Sequence, residues 1–184
     1  MSRLTLARLA AVLFAAVAAV VVVVSPAQAG PADGNPVEQA AAAESAEVYR
    51  MTNHYTNRCA AVHGPSNVNG GAVFQIDCNP AFADQYWRWE PYNGSYRLRN
   101  EHTNRCLAVQ QHNAPAFQID CGTYADQQWV RQAYYSGSYL LGYKILNVYS
   151  GKCLAVQGAV LANTQVFQAG CTTSYLDQVW ELQI

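Results

Sequence analysis

The chain has 184 residues with 11 basic and 12 acidic side chains, and only 12% of it is charged. A length of this order holds one globular domain. The faintly acidic balance excludes the basic patch that nucleic acid or an anionic membrane surface requires.

Residues 1–29 read as a secretory signal peptide. Arg3 and Arg8 give a basic start, Leu9 to Val24 form an uncharged apolar run, and Ala27-Gln28-Ala29 supplies the small-x-small pattern of a cleavage site. The alternative is a membrane anchor, but the run is shorter than the ~20 residues a spanning helix needs, and Pro26 and small residues follow it. No later stretch could span a bilayer. With the signal removed, 9 basic residues remain against 12 acidic ones, a charge near −3. The mature chain is expected to be extracellular. Residues 30–46 carry Gly, Pro, Ala and Glu without hydrophobic period and read as a flexible N-terminal tail.

Residues 47–184 are written in three copies, over about 48–91, 95–133 and 139–184. Each opens on Tyr, a base, an apolar residue, any residue and Asn, as in Tyr49-Arg50-Met51-Thr52-Asn53, Tyr96-Arg97-Leu98-Arg99-Asn100 and Tyr143-Lys144-Ile145-Leu146-Asn147. Next come Cys59-Ala60-Ala61-Val62, Cys106-Leu107-Ala108-Val109 and Cys153-Leu154-Ala155-Val156. Then follow Phe74-Gln75, Phe117-Gln118 and Phe167-Gln168, each shortly before a second cysteine. The copies close on Asp84-Gln85-Tyr86-Trp87, Asp126-Gln127-Gln128-Trp129 and Asp177-Gln178-Val179-Trp180. Both the opening tyrosines and the leading cysteines recur at a spacing of 47 residues. Such regularity in two registers marks an internal repeat.

All six cysteines occupy repeat positions, two per copy. In an exported chain that is a disulfide framework. Equivalent positions take equivalent partners only in the pairing Cys59–Cys78, Cys106–Cys121 and Cys153–Cys171. A metal site is the weaker alternative, because the spacings are not CxxC-like. No metal and no cofactor are expected.

Within the first copy the apolar and aromatic segments Tyr49–Thr52, Ala60–His63, Ala72–Ile76 and Tyr86–Trp89 alternate with turn residues such as Asn69-Gly70-Gly71, giving four strands per copy and about twelve in all. Three copies closed about a threefold axis abolish sheet edges. Met51, Leu98 and Ile145 would then share one core with Val62, Val109 and Val156.

Cys-Leu-Ala-Val, Phe-Gln-Ile-Asp-Cys and three Gln-x-Trp copies resemble the ricin B-chain-like lectin family, found also as carbohydrate-binding modules on secreted actinobacterial hydrolases. The resemblance covers residues 48–182. It implies an all-β fold, a β-trefoil of three pseudo-symmetric repeats, and binding of a glycan or polysaccharide in shallow pockets on the repeats. Gln85, Trp87, Gln127, Trp129, Gln178 and Trp180 read as scaffold, since period two puts each Gln and Trp on one strand face. A sugar-stacking platform is the lesser reading for these tryptophans.

The chain departs from that family where sugar is held. The carboxylate two residues after the first cysteine is replaced by Ala61, Ala108 and Ala155, and the aromatic two before the second by Ile76, Ile119 and Ala169. Polar equipment remains in Asp84, Asp126 and Asp177, in Asp77 and Asp120 before the second cysteine, and in the Asn67-to-Gly71 loop with Asn69. These are the candidate carbohydrate-binding residues, with the first copy favoured for its longer polar loop. For each Asp the competing reading is a turn residue bonding its own backbone. His54, His63, His102 and His112 do not recur in register, and no free thiol, HExxH, GxSxG or phosphate loop is present. The chain therefore reads as a binding protein and not an enzyme. Its rival role is a trefoil scaffold without sugar sites that binds a protein partner, as an inhibitor or toxin-associated chain. Tyr134-Tyr135-Ser136-Gly137-Ser138-Tyr139 reads as the irregular join between the second and third copies.

Overall fold

The structure is a computed structural model that describes residues 45–62, 68–110, 114–157 and 163–184. The signal peptide and nearly all of the tail expected over 1–46, together with His63, Asn67 and His112, lie outside the described residues.

The alternating segments form twelve strands, four per copy. The first copy gives β1 (Glu47–Asn53), β2 (Cys59–Val62), β3 (Gly71–Ile76) and β4 (Tyr86–Tyr92). The second gives β5 (Ser95–Asn100), β6 (Cys106–Ala108), β7 (Phe117–Ile119) and β8 (Gln128–Ser136). The third gives β9 (Tyr139–Asn147), β10 (Cys153–Ala155), β11 (Phe167–Ala169) and β12 (Val179–Gln183). A single 3-10 turn precedes each closing strand, over Ala83–Gln85, Ala125–Gln127 and Leu176–Gln178.

The outer strands of each copy close a ring in the order β1, β4, β5, β8, β9, β12 and back to β1, antiparallel throughout. The ring has no edge, so every strand in it has partners on both sides. The inner strands pair as hairpins β2–β3, β6–β7 and β10–β11. These hairpins meet at the threefold axis in a cycle of backbone hydrogen bonds. Val73 N–H donates to Ala116 O at 3.1 Å, Ala116 N–H to Val166 O at 2.7 Å, and Val166 N–H back to Val73 O at 2.8 Å. All three residues are fully buried, so the cycle satisfies groups that no water reaches.

One core fills the ring and the cap. It contains Met51, Leu98 and Ile145, Val62, Val109 and Val156, and Trp87, Trp129 and Trp180. Each of these tryptophans donates its indole N–H to the carbonyl of the residue after its copy's first cysteine: Ala60 at 2.9 Å, Leu107 at 3.0 Å and Leu154 at 2.9 Å. The partner Gln, also buried, straddles the second cysteine. Gln85 accepts from Asn79 N–H and donates to Asp77 O, Gln127 does the same with Gly122 and Asp120, and Gln178 with Thr172 and Gly170, all within 2.7–3.1 Å. The disulfides are Cys59–Cys78, Cys106–Cys121 and Cys153–Cys171, one per repeat. Closing loops of 15 to 19 residues, each contributes on the order of 3 kcal/mol in the chain-entropy account.

The Tyr134–Tyr139 stretch differs from its expected irregular join. It is the tip of a hairpin whose two strands, β8 and β9, run nine residues each, with a register shift between Tyr134 and Tyr135. Gly137, at φ 60°, turns the chain with Ser138 in a two-residue loop. The small residues that look like a breaker in sequence are what a tight hairpin turn requires.

The paired Gln and Trp give the first testable outcome. Trp129→Phe removes buried volume and leaves Leu107 O without its donor. It is expected to lower unfolding free energy by about 2–4 kcal/mol, measured as a lower urea midpoint with an unchanged slope.

Candidate functional site

Three side chains that end β1, β5 and β9 set the geometry of the surface around each repeat junction. Asn53, Asn100 and Asn147 are all buried. Each amide oxygen accepts the N–H groups two and three residues further on, at 3.1–3.2 Å: Tyr55 and Thr56, His102 and Thr103, Tyr149 and Ser150. This is an Asx turn. Each amide nitrogen crosses to the preceding copy around the ring and donates to an aspartate main-chain carbonyl. Asn100 reaches Asp84 at 2.7 Å, Asn147 reaches Asp126 at 2.8 Å, and Asn53 reaches Asp177 at 2.8 Å. One asparagine thus ties the 3-10 turn of one repeat to the first turn of the next.

Between the tied turns lies a cleft. Phe82, Asp84 and His102 line the first, which encloses about 500 Å³. Tyr124, Asp126 and Tyr149 line the second, about 510 Å³, and Tyr175, Asp177 and Tyr55 the third, about 280 Å³. The triplets are equivalent positions: the ring two residues before the Asp, the Asp, and the residue two after the Asn. The five phenyl and phenol rings are 51–68% exposed, so none is consumed by core packing. Ala61 and Ile76 line the first cleft and Ile119 the second. The walls where the resemblance places a carboxylate and an aromatic are therefore apolar, and polar and aromatic groups stand around the 3-10 turn instead.

Charge singles out the same aspartates. Of the nine acidic residues among those described, six meet a basic side chain: Glu47 with Arg131, Asp77 with Arg58, Glu90 with Arg97 and Arg99, Glu101 with Arg88, Asp120 with Arg105, and Glu181 with His54. Asp84, Asp126 and Asp177 are the remaining three, with no ion pair among the described residues. One carboxylate oxygen each of Asp126 and Asp177 is buried without a hydrogen-bond partner. Burial raises the pKa of both above the ordinary carboxylate value. Backbone N–H groups of their own turns oppose that rise, and so does the Lys144 charge for Asp177.

The other predicted residues are placed elsewhere. Asp77 faces Arg58 at 3.0 Å. Asn69 donates to the Asp120 carboxylate at 2.8 Å and accepts its backbone N–H at 2.8 Å, and Arg105 contacts both side chains. The Asn69 hydrogen bond, ahead of the Arg105 charge, holds the Asp120 carboxyl below its usual range. Asn69 of the first repeat is thus tied to the second repeat, and Asp77, Asn69 and Asp120 line none of the three clefts. The aromatic rings were missed in sequence. Their signal is present as Phe82-Ala83-Asp84, Tyr124-Ala125-Asp126 and Tyr175-Leu176-Asp177. His102, irregular as a histidine, is regular as the counterpart of Tyr55 and Tyr149. Among the described residues no cluster of His, Cys, Asp and Glu could hold a metal ion.

Residues 37–121 match the family model described as ricin-type beta-trefoil lectin domain-like, a span that covers the first repeat and the second as far as Cys121. No curated protein matches the chain. Among solved structures, the designed threefold-symmetric protein ThreeFoil superposes with a TM-score of 0.65 at 24% identity, covering 74% of this chain and 98% of its own. The fold is a β-trefoil. The hemolytic lectin CEL-III aligns with a TM-score of 0.60 at 26% identity over 74% of this chain, which spans 30% of that lectin. The Rhizoctonia solani agglutinin aligns with a TM-score of 0.59 at 16% identity, over 76% of this chain and 95% of that one.

Two outcomes follow from the trefoil junctions. Asn100→Ala strips partners from buried backbone groups of two repeats and is expected to cost about 2–3 kcal/mol in chemical denaturation. Asp126→Asn has the opposite sign. The native state holds the Asp126 proton more tightly than the unfolded chain, so ionisation at neutral pH disfavours the native state. The variant should melt higher than wild type at pH 7. The gain should vanish below about pH 3, where the carboxyl is protonated in both states. Thermal melts across that range check it.

Proposed function

We propose that this chain is a secreted, non-catalytic lectin of the ricin type that holds sugars in the three junction clefts. The observation that carries the reading is the threefold recurrence of an aspartate, without an ion pair among the described residues, between two side chains with ring faces. A pyranose presents C–H faces that pack on aromatic rings and hydroxyls that a carboxylate accepts. The cleft supplies both at one spacing. Half-exposed rings around shallow clefts fit weak single-site binding, and three such sites on one domain strengthen binding to a repeating glycan by raising effective concentration. Three disulfides in a small domain fit an oxidising compartment, which supports export. The lectin match over residues 37–121 and the lectin neighbours support the same reading.

A second reading, protein recognition by a scaffold without sugar sites, has one observation in its favour. The β8–β9 hairpin tip exposes Tyr135 at 56%, Tyr139 at 77% and Leu140 at 47%. Adaptable tyrosine surfaces of that kind suit protein contacts.

A glycan array combined with polysaccharide pull-down separates the two. Sugar binding is expected, and Asp126→Ala with Asp177→Ala should weaken it at least about tenfold, the loss of one charge-assisted hydrogen bond. Asp77→Ala, at a residue paired to Arg58, should leave binding unchanged. Folded protein that binds no glycan across the panel, but captures a stoichiometric protein through the Tyr135 and Tyr139 tip, would contradict the lectin reading.

A further inference from the structure

We propose that the second and third clefts take a hexosamine whose amine is free and protonated, in preference to a neutral or N-acetylated sugar; this rests on the carbohydrate reading above. The argument starts from the distribution of charge. Six of the nine described acids meet a basic side chain, and the three that do not occupy one equivalent position. Asp77 and Asp120, one residue from a disulfide, are by contrast met by Arg58 and Arg105.

In the second cleft the Asp126 carboxylate, which meets no basic side chain among the described residues, stands with Tyr124 and Tyr149, whose rings are 68% and 64% exposed. No basic residue lines this cleft among the described residues; its other walls are Gln110, Ile119, Ala125 and Gln127. A neutral hydroxyl would supply that carboxylate with a hydrogen bond alone. An ammonium group supplies the hydrogen bond and the missing charge, and the negative faces of two tyrosine rings attract it further. The sugar ring of the same ligand packs its C–H face on the aromatic surface that remains. An acetyl group on the nitrogen removes the charge and one donor while adding bulk at the carboxylate.

The third cleft repeats the arrangement with Tyr175, Asp177 and Tyr55 in a smaller volume. Lys144, whose ammonium donates to Thr172 O, lies close enough to favour the Asp177 charge. An incoming cation therefore gains less there, and the second cleft should be the tighter site. The first cleft replaces one tyrosine with Phe82 and the other with His102 and does not share the arrangement.

Three tetrasaccharides with one linkage isolate the amine: β-1,4-linked glucosamine, its N-acetylated form, and the cello-oligosaccharide with hydroxyl at the same carbon. Titration calorimetry at pH 6 and low salt is expected to show the amine form binding at least about tenfold tighter than either analogue. The preference should shrink in high salt. Asp126→Asn should abolish most of it. Tyr124→Ala, at an exposed ring whose loss leaves the core intact, should lower amine affinity several-fold. Equal or tighter binding of the acetylated or neutral tetramer would overturn the inference and leave the lectin reading standing. A preference that survives Asp126→Asn with Asp177→Asn would also overturn it, by placing the site elsewhere. Binding of none of the three would overturn it as well, and the broad glycan panel then decides the lectin reading separately.

Discussion

The buried asparagine at each repeat junction is the contact on which the geometry of the three clefts depends. Asn53, Asn100 and Asn147 each satisfy two backbone donors of one turn and a backbone acceptor of another, with nearly identical distances in the three copies. Buried backbone groups left unpaired are costly, so the two turns cannot drift apart independently. The two side chains flanking each cleft extend from those turns. The turns that carry the cleft side chains are thereby tied to each other across the repeat boundary.

The rest of the scaffold serves the same end by closing on itself. The ring of six strands has no edge, the three cap hairpins lock through the Val73, Ala116 and Val166 cycle, and each Gln fixes the chain around a disulfide. One carboxylate oxygen each of Asp126 and Asp177 is buried without a hydrogen-bond partner, as are Arg50 Nε and Trp89 Nε1. Burial disfavours the charged form of both carboxylates.

How much of this was legible in the sequence follows from how local each feature is. The spacing of 47 residues, the paired cysteines and the Gln-x-Trp motif recur within each copy, and they carried the twelve strands, the disulfides and the core. The clefts were harder because each is built from two copies. Tyr55 lines a cleft with Asp177, and the Asn53 amide that fixes them joins residues 124 positions apart. Reading one copy at a time leaves Phe82, Tyr124 and Tyr175 as loop aromatics without a counterpart. Asp77, Asn69 and Asp120 line none of the three clefts. In sequence they are polar residues near a motif, and only three dimensions show Arg58 and Arg105 already holding the two carboxylates. The Tyr134–Tyr139 hairpin tip was obscured by small residues that serve equally as breakers and as turn formers.

The most direct test of this account is a crystal structure of the protein bound to a short oligosaccharide selected from a binding panel. The account predicts a sugar ring seated between Tyr124 and Tyr149, with a ligand donor about 3 Å from a carboxylate oxygen of Asp126, and the Asn147 hydrogen bonds unchanged. Sugar found on the hairpin tip, or against any other surface while the three clefts stand open, would contradict it.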